Sequence, residues 1–372
     1  MEIKLKCIEC GRIYEEEEKR VFCDCGGLLQ LEFNPIFDIE KIRKKDKNLW
    51  RYRNLIPLKK DENIISLKEG FTPLIDRKID DFEIFLKLDF VFPTGSFKDR
   101  GATVLISKIK ELGINRIVED SSGNAGAAIS AYSTIANIDC DIFVPENSSP
   151  NKIKQIEFYG ANVHKISGSR ENVFDEAKKF SKNFYYASHF INPYFFHGTK
   201  TVIFEIYEDF NCSLPETIIL PVGSGSSILG IYIGLSDLKR SNLIEKFPKL
   251  IGVQSENCAP IYSAFVKKEY DIPKIEKKYT IAEGVSIQNP LRGKEILKAI
   301  YETNGDIITV SDEEILLSQK ELAKSGIFVE PTSAVSFAGV KKYINSLKED
   351  ERIVAILTGS GLKSLWFNHN TI

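Results

Sequence analysis

Pro93-Thr94-Gly95-Ser96-Phe97-Lys98-Asp99-Arg100-Gly101 has the pattern of a turn followed by the start of a helix. Proline and glycine interrupt regular structure, Ser96 is expected to cap the helix, and Asp99 suits the positive end of its dipole. Apolar residues then recur at helical spacing until Gly113, where the helix is expected to end. A helix start and burial both favour a neutral amine, so Lys98 suits Schiff-base chemistry, although an ordinary solvated lysine has the same pattern.

Strand-like apolar runs alternate with helical patterns on both sides of this stretch, which predicts an α/β fold. Two such series indicate two parallel-sheet lobes that bind ligands at the carboxyl ends of their strands. We expect a Cys-rich module at 1–33, a large domain at 34–92 plus 199–372, and a small α/β domain at 93–198. The predicted strands are Ile84–Leu88, Arg116–Glu119, Cys140–Val144, Asn162–Ile166, Phe184–Ser188, Thr217–Val222, Leu250–Gln254, Ile307–Val310 and Arg352–Leu357.

Four of the cysteines lie near the beginning of the chain, in two pairs that are each followed by glycine. This spacing is typical of a structural zinc ribbon, in which four thiolates close the shell of the metal. The ligands would be Cys7, Cys10, Cys23 and Cys25, although the second pair has only one intervening residue. A small sheet with reduced, metal-free thiols is the alternative. Acidic residues at 15–18 argue against a nucleic-acid-binding face.

Composition narrows the class of protein. The chain has 372 residues, 43% apolar content, 27% charged content and a net charge of −2, which gives no reason to expect nucleic acid or a membrane as partner. The first residues lack a signal-peptide core, so a cytoplasmic location is expected. A short helix is predicted at Ile39–Lys45, and the aromatic-basic run 50–53 is expected to pack on a neighbouring domain rather than stack on bases.

The loop Ser121-Ser122-Gly123-Asn124-Ala125-Gly126 follows a predicted strand and opens a predicted helix. Hydroxyls and free amides at a helix start favour an anion, so Ser121, Ser122, Gly123 and Ala125 are candidates for binding a substrate carboxylate. The Asn124 amide can donate to a phenolic oxygen. A simple helix cap is the alternative.

Two further loops also follow strands. In one of them, Gly223, Ser224, Gly225, Ser226 and Ser227 suit a phosphate, because glycine lets the backbone approach closely. Glu256 would be the ribose acid if this loop bound a dinucleotide, but its glycine spacing differs from the Rossmann pattern. In the other loop, Thr358 can meet a ring nitrogen. With Lys98, these residues describe a pyridoxal phosphate site.

The motifs together resemble the threonine synthase family of fold-type II pyridoxal phosphate enzymes, which are tryptophan synthase β-like. The resemblance implies that Lys98 is the Schiff-base lysine and proton shuttle, with Asn124, Gly223–Ser227 and Thr358 as cofactor contacts. It further implies a homodimer that converts a small amino acid, O-phosphohomoserine, to threonine and phosphate. The residues that carry it are Pro93–Gly101, Trp50–Tyr52, Gly70–Leu74, Asn192–Tyr194, Gly198–Thr201, Glu330–Ala334 and Thr358–Lys363, besides the Cys-rich start.

The chain departs from the family pattern where the substrate phosphate binds. Ala125 stands in place of a threonine, His189-Phe190 in place of Asn-Ser, and Phe195 in place of an arginine. A phosphate that loses these partners loses charge-assisted hydrogen bonds of about 1.5–3 kcal/mol each. The alternative is therefore a serine/threonine dehydratase or β-replacement enzyme, in which His189 or His197 is an acid or merely structural. A nicotinamide oxidoreductase and a ribbon-led binding protein are more distant alternatives.

Overall fold

Strands and helices alternate along most of the chain in a computed structural model that describes residues 2–79, 82–148, 150–347 and 351–364. The strands are β1 Lys4–Cys7, β2 Ile13–Glu15, β3 Leu29–Glu32, β4 Leu74–Ile79, β5 Phe82–Lys87, β6 Arg116–Glu119, β7 Asp139–Pro145, β8 Asn162–Ile166, β9 Tyr185–Tyr186, β10 Thr217–Pro221, β11 Lys249–Ser255, β12 Asp306–Val310 and β13 Ile353–Ile356. The α-helices are α1 Lys98–Glu111, α2 Asn124–Ala136, α3 Pro150–Phe158, α4 Arg170–Phe180, α5 Pro193–Thr199, α6 Thr201–Asp209, α7 Ser226–Arg240, α8 Pro260–Lys267, α9 Gly293–Glu302, α10 Asp312–Lys324 and α11 Pro331–Tyr343. Short 3₁₀ helices lie at Glu16–Glu18, Ile39–Lys41, Leu49–Leu55, Asp61–Asn63, Glu283–Val285, Ile344–Ser346 and Gly361–Ser364.

Within the described residues these strands form three sheets. A small antiparallel sheet has the order β2-β1-β3, and a four-stranded parallel sheet has the order β8-β7-β6-β9. The third has the order β12-β11-β10-β13-β5-β4 and is parallel except at its β4 edge. The predicted α/β fold with parallel sheets is therefore confirmed.

One compact unit comprises the chain up to Phe71, Lys98–Phe204 and Ile233–Ile244. It contains the small antiparallel sheet and the four-stranded sheet. Helix α2 presents a buried face of alanines, which allows it to approach β7 closely. The 3₁₀ helix Leu49–Leu55 is also buried here, so its aromatic and basic side chains pack inside the protein rather than forming a surface for bases.

The other unit comprises Thr72–Phe97, Glu205–Tyr232 and the chain from Glu245 onward. It contains the six-stranded sheet. Strands β10 and β13 are buried along their whole length, as expected for parallel strands that are covered on both faces. Apolar residues of β11, β13 and α11 form its core. The division into domains made from the sequence stays a prediction.

Two details of the sequence-based prediction were wrong. The helix expected at Ile39–Lys45 is a single 3₁₀ turn, Ile39–Lys41, because a run of like-charged side chains follows it and Ile42 is extended. The sequence also predicted no strand between Gly70–Leu74 and Ile84–Leu88, but strand β4 begins at Leu74 and forms the antiparallel edge of the large sheet. Among the described residues, no helix combines the length and the apolar character needed to cross a membrane.

Candidate active site

Lys98 is the first residue of α1, and the segment just before it is fixed by the loop that contains Thr358. The Phe97 amide donates to the Thr358 carbonyl at 2.9 Å, and the Ser360 amide donates to the Gly95 carbonyl at 2.9 Å. Gly95 has a φ of +83°, which favours glycine. The expected Ser96 cap was wrong, because the buried Ser96 Oγ bonds to none of the described residues and the helix begins two residues later.

Helices α1 and α5 approach each other so closely that both have glycine at the contact. A Cβ on Gly101 would overlap the ring of Phe195, and a Cβ on Gly198 would overlap the carbonyl of Arg100. The completely buried Phe195 ring has its centroid 5.8 Å from Lys98 Nζ. The side chain that replaces the arginine of the family pattern therefore lies beside the candidate lysine and gives it an apolar neighbour.

The predicted substrate loop follows β6 and leads into α2, with Gly123 as the N-cap residue and Asn124 as the first helical residue. Ser121, Ser122 and Gly123 are half-buried, and Ala125 is buried. The Gly123 amide donates to Ser121 Oγ at 3.3 Å. The first amides of a helix have no partner within it, so this arrangement can bind an anion.

His189, which the sequence offered as a possible acid, forms a buried pair with Glu119, the last residue of β6 and one that motif reasoning missed. His189 Nδ1 is 2.7 Å from Glu119 Oε1, and the His189 backbone N–H donates to Glu119 Oε2 at 3.2 Å. Burial raises the pKa of Glu119 well above its usual range, and the charge of Asp120 adds to this effect. Burial lowers the pKa of His189 well below its usual range, and the charges of Lys98 and Arg170 lower it further.

Arg170 is a second site residue that sequence reasoning missed. It is the first residue of α4, and its Nη2 donates to Asp120 Oδ2 at 2.6 Å. Its Nη1 and the buried Ser188 Oγ have no hydrogen-bond partner among the described residues. The acidic pair Glu119-Asp120 at a strand end was the sequence signal that could have indicated these partners. These groups form a polar cluster on the same side of the sheet as the Ser121 loop.

The predicted cofactor residues of the other unit follow neighbouring strands of its sheet, because β10 pairs with β13. Gly223–Ser227 joins β10 to α7, with Gly225 at a φ of +93° and a Gly223 whose Cβ would overlap the Gly284 carbonyl. Thr358 follows β13 and is buried; its backbone N–H donates to Ser333 Oγ at 2.8 Å. Its Oγ1 has no hydrogen-bond partner in the part of the chain that the structure describes.

These residues fit pyridoxal phosphate. A buried hydroxyl without a protein partner can meet the ring nitrogen, and a glycine loop at a helix start can hold the phosphate. The lysine begins a helix directly after a segment that bonds to the Thr358 carbonyl. The His197 ring packs edge-on against the ring of Phe33, just after β3, with the two centroids 5.5 Å apart.

The four predicted metal ligands are also brought together. The sulfur atoms of Cys7, Cys10, Cys23 and Cys25 all lie within 4.8 Å of one another. Cys7 Sγ is 3.6 Å from Cys25 Sγ, and Cys10 Sγ is 3.5 Å from Cys23 Sγ. Cys7 is the last residue of β1, and the other three cysteines lie in the connections between the strands of the small antiparallel sheet.

Comparisons with known proteins agree with the geometry. The family model described as pyridoxal-phosphate dependent enzyme matches residues 65–359. The threonine synthase of Methanocaldococcus jannaschii is 39% identical, covering 96% of this chain and 92% of that protein; that of Methanosarcina acetivorans is 36% identical with the same coverage. Maize serine racemase, at 22% identity, superposes with a TM-score of 0.67 over 78% of this chain and 88% of its own. The threonine deaminase of T.th., at 24% identity, superposes with a TM-score of 0.66 over 78% of this chain and 92% of that protein. The structures show the fold alone, whereas the family match and the sequence identities show that this chain belongs to the threonine synthase family of pyridoxal phosphate-dependent enzymes.

Proposed function

We propose that this enzyme is a threonine synthase that converts O-phosphohomoserine to threonine and phosphate. The observation that carries this proposal is the 39% identity to the Methanocaldococcus jannaschii threonine synthase over nearly the full length of both chains. The buried Thr358 hydroxyl and the helix-start lysine support it from the structure, because they suit the cofactor that this chemistry needs.

Each candidate residue has a role in this proposal. Lys98 holds the cofactor and moves the proton of the substrate Cα, Gly223–Ser227 bind the cofactor phosphate, and Asn124 and Thr358 hold its ring. The Ser121-Ser122-Gly123 segment and Ala125 receive the substrate carboxylate at the start of α2. When bound, pyridoxal phosphate supplies the electron sink that makes the Cα proton removable. A hydroxyl at the ring nitrogen, unlike a carboxylate, moderates that sink and suits elimination and replacement.

The direct test incubates the enzyme, loaded with pyridoxal phosphate, with O-phosphohomoserine. We expect phosphate and threonine in equal amounts, and a visible absorption band of the bound cofactor that Lys98→Ala abolishes. Lys110→Ala, an exposed lysine on the same helix, is the matched control and should keep both the band and the activity. Absence of threonine from a fully loaded wild-type enzyme would refute the proposed reaction.

The dehydratase alternative rests on one observation, the apolar Phe195 ring beside Lys98. An apolar corner suits a substrate with an uncharged β-leaving group better than it suits a phosphate ester. The same loaded enzyme is therefore incubated with serine and with threonine, and 2-keto acid is measured. Keto acid without threonine synthesis from O-phosphohomoserine would favour this alternative. Membership of the family decides against a nicotinamide cofactor.

We also propose that the four clustered cysteines hold a structural zinc ion. Tetrahedral zinc–thiolate bonds of about 2.3 Å place the sulfur atoms about 3.8 Å apart. Two of the sulfur–sulfur distances here, 3.5 and 3.6 Å, are close to that value. Metal analysis of the purified protein should give one zinc per chain, which the double variant Cys10→Ser, Cys25→Ser loses. Cys212→Ser removes another exposed cysteine and should keep the zinc. Equal metal in all three proteins would contradict the site.

The homodimer, the cytoplasmic location and the absence of nucleic-acid and membrane partners stay predictions from the sequence. Light scattering of the loaded enzyme tests the first of them, with a particle of twice the chain mass of 42.1 kDa as the expected result.

A further inference from the structure

The Glu119–His189 pair is buried, geometrically fixed and located beside the candidate lysine. Both oxygens of Glu119 bond to His189, one to Nδ1 at 2.7 Å and the other to the backbone N–H at 3.2 Å. The His189 ring packs edge-on against Phe190 at 5.0 Å and Phe195 at 6.0 Å, so it has little freedom to turn. A carboxyl group that holds Nδ1 in this way fixes the tautomer and aims Nε2 in one direction.

Phe195 connects the pair to Lys98. The same ring that packs against His189 has its centroid 5.8 Å from Lys98 Nζ. Glu119 is followed in sequence by Asp120 and then by the Ser121 loop, so the pair also adjoins the loop proposed to bind the substrate carboxylate. Phe195 therefore packs against both His189 and Lys98, and the partner of His189 leads directly into the loop proposed for the substrate carboxylate.

The protonation of the pair follows from its surroundings. Burial raises the pKa of Glu119 and lowers that of His189, and the charged groups around them are Lys98, Asp120 and Arg170. Both shifts favour an uncharged pair, in which Glu119 Oε1 carries a proton and donates it to Nδ1. The neutral ring then carries its own hydrogen on Nε2, where it is a donor. The pair thus stores one proton that it can give to a substrate oxygen, and the charge of Arg170 stabilises the Glu119 carboxylate that remains.

We propose that His189, backed by Glu119, is the general acid for the leaving phosphate and then the general base for the water that replaces it, an inference that rests on the proposed threonine synthase reaction. Arg170 and Ser188 supply a cation and a hydroxyl for the same phosphate. Phe195 stands where the family has an arginine, so that positive charge is missing from the phosphate site. Arg170, at the start of α4, supplies a positive charge in its place.

The pair gives up one proton when phosphate leaves Cγ and regains one when water adds at Cβ. When the Cγ–O bond breaks, its electron pair stays on the phosphate oxygen, which takes the proton of Nε2. Glu119 Oε1 passes its proton to Nδ1 and becomes a carboxylate. When water adds at Cβ, a proton of the water returns to Nε2, and the Nδ1 proton returns to Glu119. Between the two steps Cβ gives up one proton and Cγ gains one, and Lys98 carries this proton as it carries that of Cα. The pair ends in its starting state, and no oxidant is needed.

The test compares His189→Asn and Glu119→Gln with the wild-type enzyme, all loaded with pyridoxal phosphate. General acid–base catalysis contributes about 100-fold or more, so we expect His189→Asn to lower kcat for threonine formation by about 100-fold. Glutamine keeps a hydrogen bond to Nδ1 but has no proton to pass on, so Glu119→Gln should also lower kcat. Neither variant should alter the visible band of the cofactor.

Two further measurements separate catalysis from structure. Exchange of the substrate Cα proton in deuterated water reports on Lys98 alone, and we expect both variants to retain it while threonine formation falls. The chain also contains a matched control pair, because His164 Nε2 lies at the same 2.7 Å distance from Asp141 Oδ1 in the same unit. His164→Asn should keep the wild-type kcat.

The outcomes distinguish this inference from the proposed function. If wild-type enzyme forms threonine and His189→Asn does so at the same rate, the inference is wrong and the function stands. If Cα exchange and threonine formation fall together in both variants, His189 has only a structural role and the inference is again wrong. If wild-type enzyme exchanges the Cα proton but releases no phosphate, the proposed function itself fails.

Discussion

Lys108 lies on helix α1 with its ammonium group fully buried. Its Nζ is 3.0 Å from Glu16 Oε2, and it also pairs with Glu111, one turn further along the helix. Glu16 belongs to the segment between the two cysteine pairs, and Lys59 makes a second ion pair with it. The Lys108–Glu16 contact therefore joins the cysteine module to the helix that begins with Lys98.

Replacing Lys108 with methionine removes the charge while keeping an apolar side chain of similar length. At an effective dielectric constant of about 20, unit charges 3.0 Å apart attract by about 5 kcal/mol, much of which the desolvation of both groups offsets. Breaking a buried ion pair by removing one partner costs about 3–5 kcal/mol. Glu16 keeps Lys59 as a partner, so we expect the low end of that range, about 3 kcal/mol.

Urea unfolding of the enzyme loaded with pyridoxal phosphate measures this loss of stability. We expect a lower midpoint urea concentration and an unchanged dependence of the free energy of unfolding on urea. Lys110→Met changes an exposed lysine on the same helix and should alter the free energy of unfolding by less than about 0.5 kcal/mol. The double variant Glu16→Gln, Lys108→Met should lose less than the sum of the two single variants, since each single change leaves a buried charge behind. Equal midpoints for Lys108→Met and Lys110→Met, or strictly additive losses, would refute the reasoning.

Three further results are expected. Arg170→Leu should raise KM for O-phosphohomoserine by about tenfold or more, since a charge-assisted hydrogen bond contributes about 1.5–3 kcal/mol; an unchanged KM in steady-state assays would contradict this role. Thr358→Val should weaken cofactor binding in a titration followed by the visible band, because the shape remains but the hydroxyl is lost. Burial opposes ionisation of Asp141, but hydrogen bonds from Arg116 and His164 outweigh it and lower its pKa. This stability is present above the unfolded pKa of about 4 and is lost as pH falls through the folded pKa, so Asp141→Asn should flatten the acid side of a stability–pH curve measured by urea unfolding.

The strand–helix alternation was predictable because parallel strands that are covered on both faces appear in the sequence as short apolar runs. Arg116–Glu119 and Asn162–Ile166 were predicted with the bounds that the structure has. Strand β4 was missed because edge strands are only partly buried, and Leu74–Ile79 lacks a continuous apolar run. The Lys98, Ser121, Gly223 and Thr358 loops were recognisable because each one follows a strand and carries glycine or hydroxyl residues.

Pairings between distant residues were beyond the sequence. Glu119 and His189 are 70 positions apart, and neither lies in a motif that specifies the other. Arg170 follows a serine cap and has the pattern of an ordinary solvated helix start, yet it reaches Asp120 across 50 positions. Local patterns specify which element a residue belongs to, whereas its partner depends on the order of strands in the sheet. The sheet order β8-β7-β6-β9 brings together the carboxyl ends of the strands that precede Glu119-Asp120, Arg170 and His189.

The protonation of the Glu119–His189 pair depends on the residue at position 195. An arginine at position 195 would add a second positive charge to that of Arg170, stabilise the Glu119 carboxylate further and favour a static ion pair. The Phe195 ring instead excludes water and adds no charge, so burial dominates and the pair stays neutral, with one proton free to move between Glu119 and Nδ1. A change that removes a phosphate ligand from the family pattern is thus also the change that allows His189 to act on the phosphate as an acid.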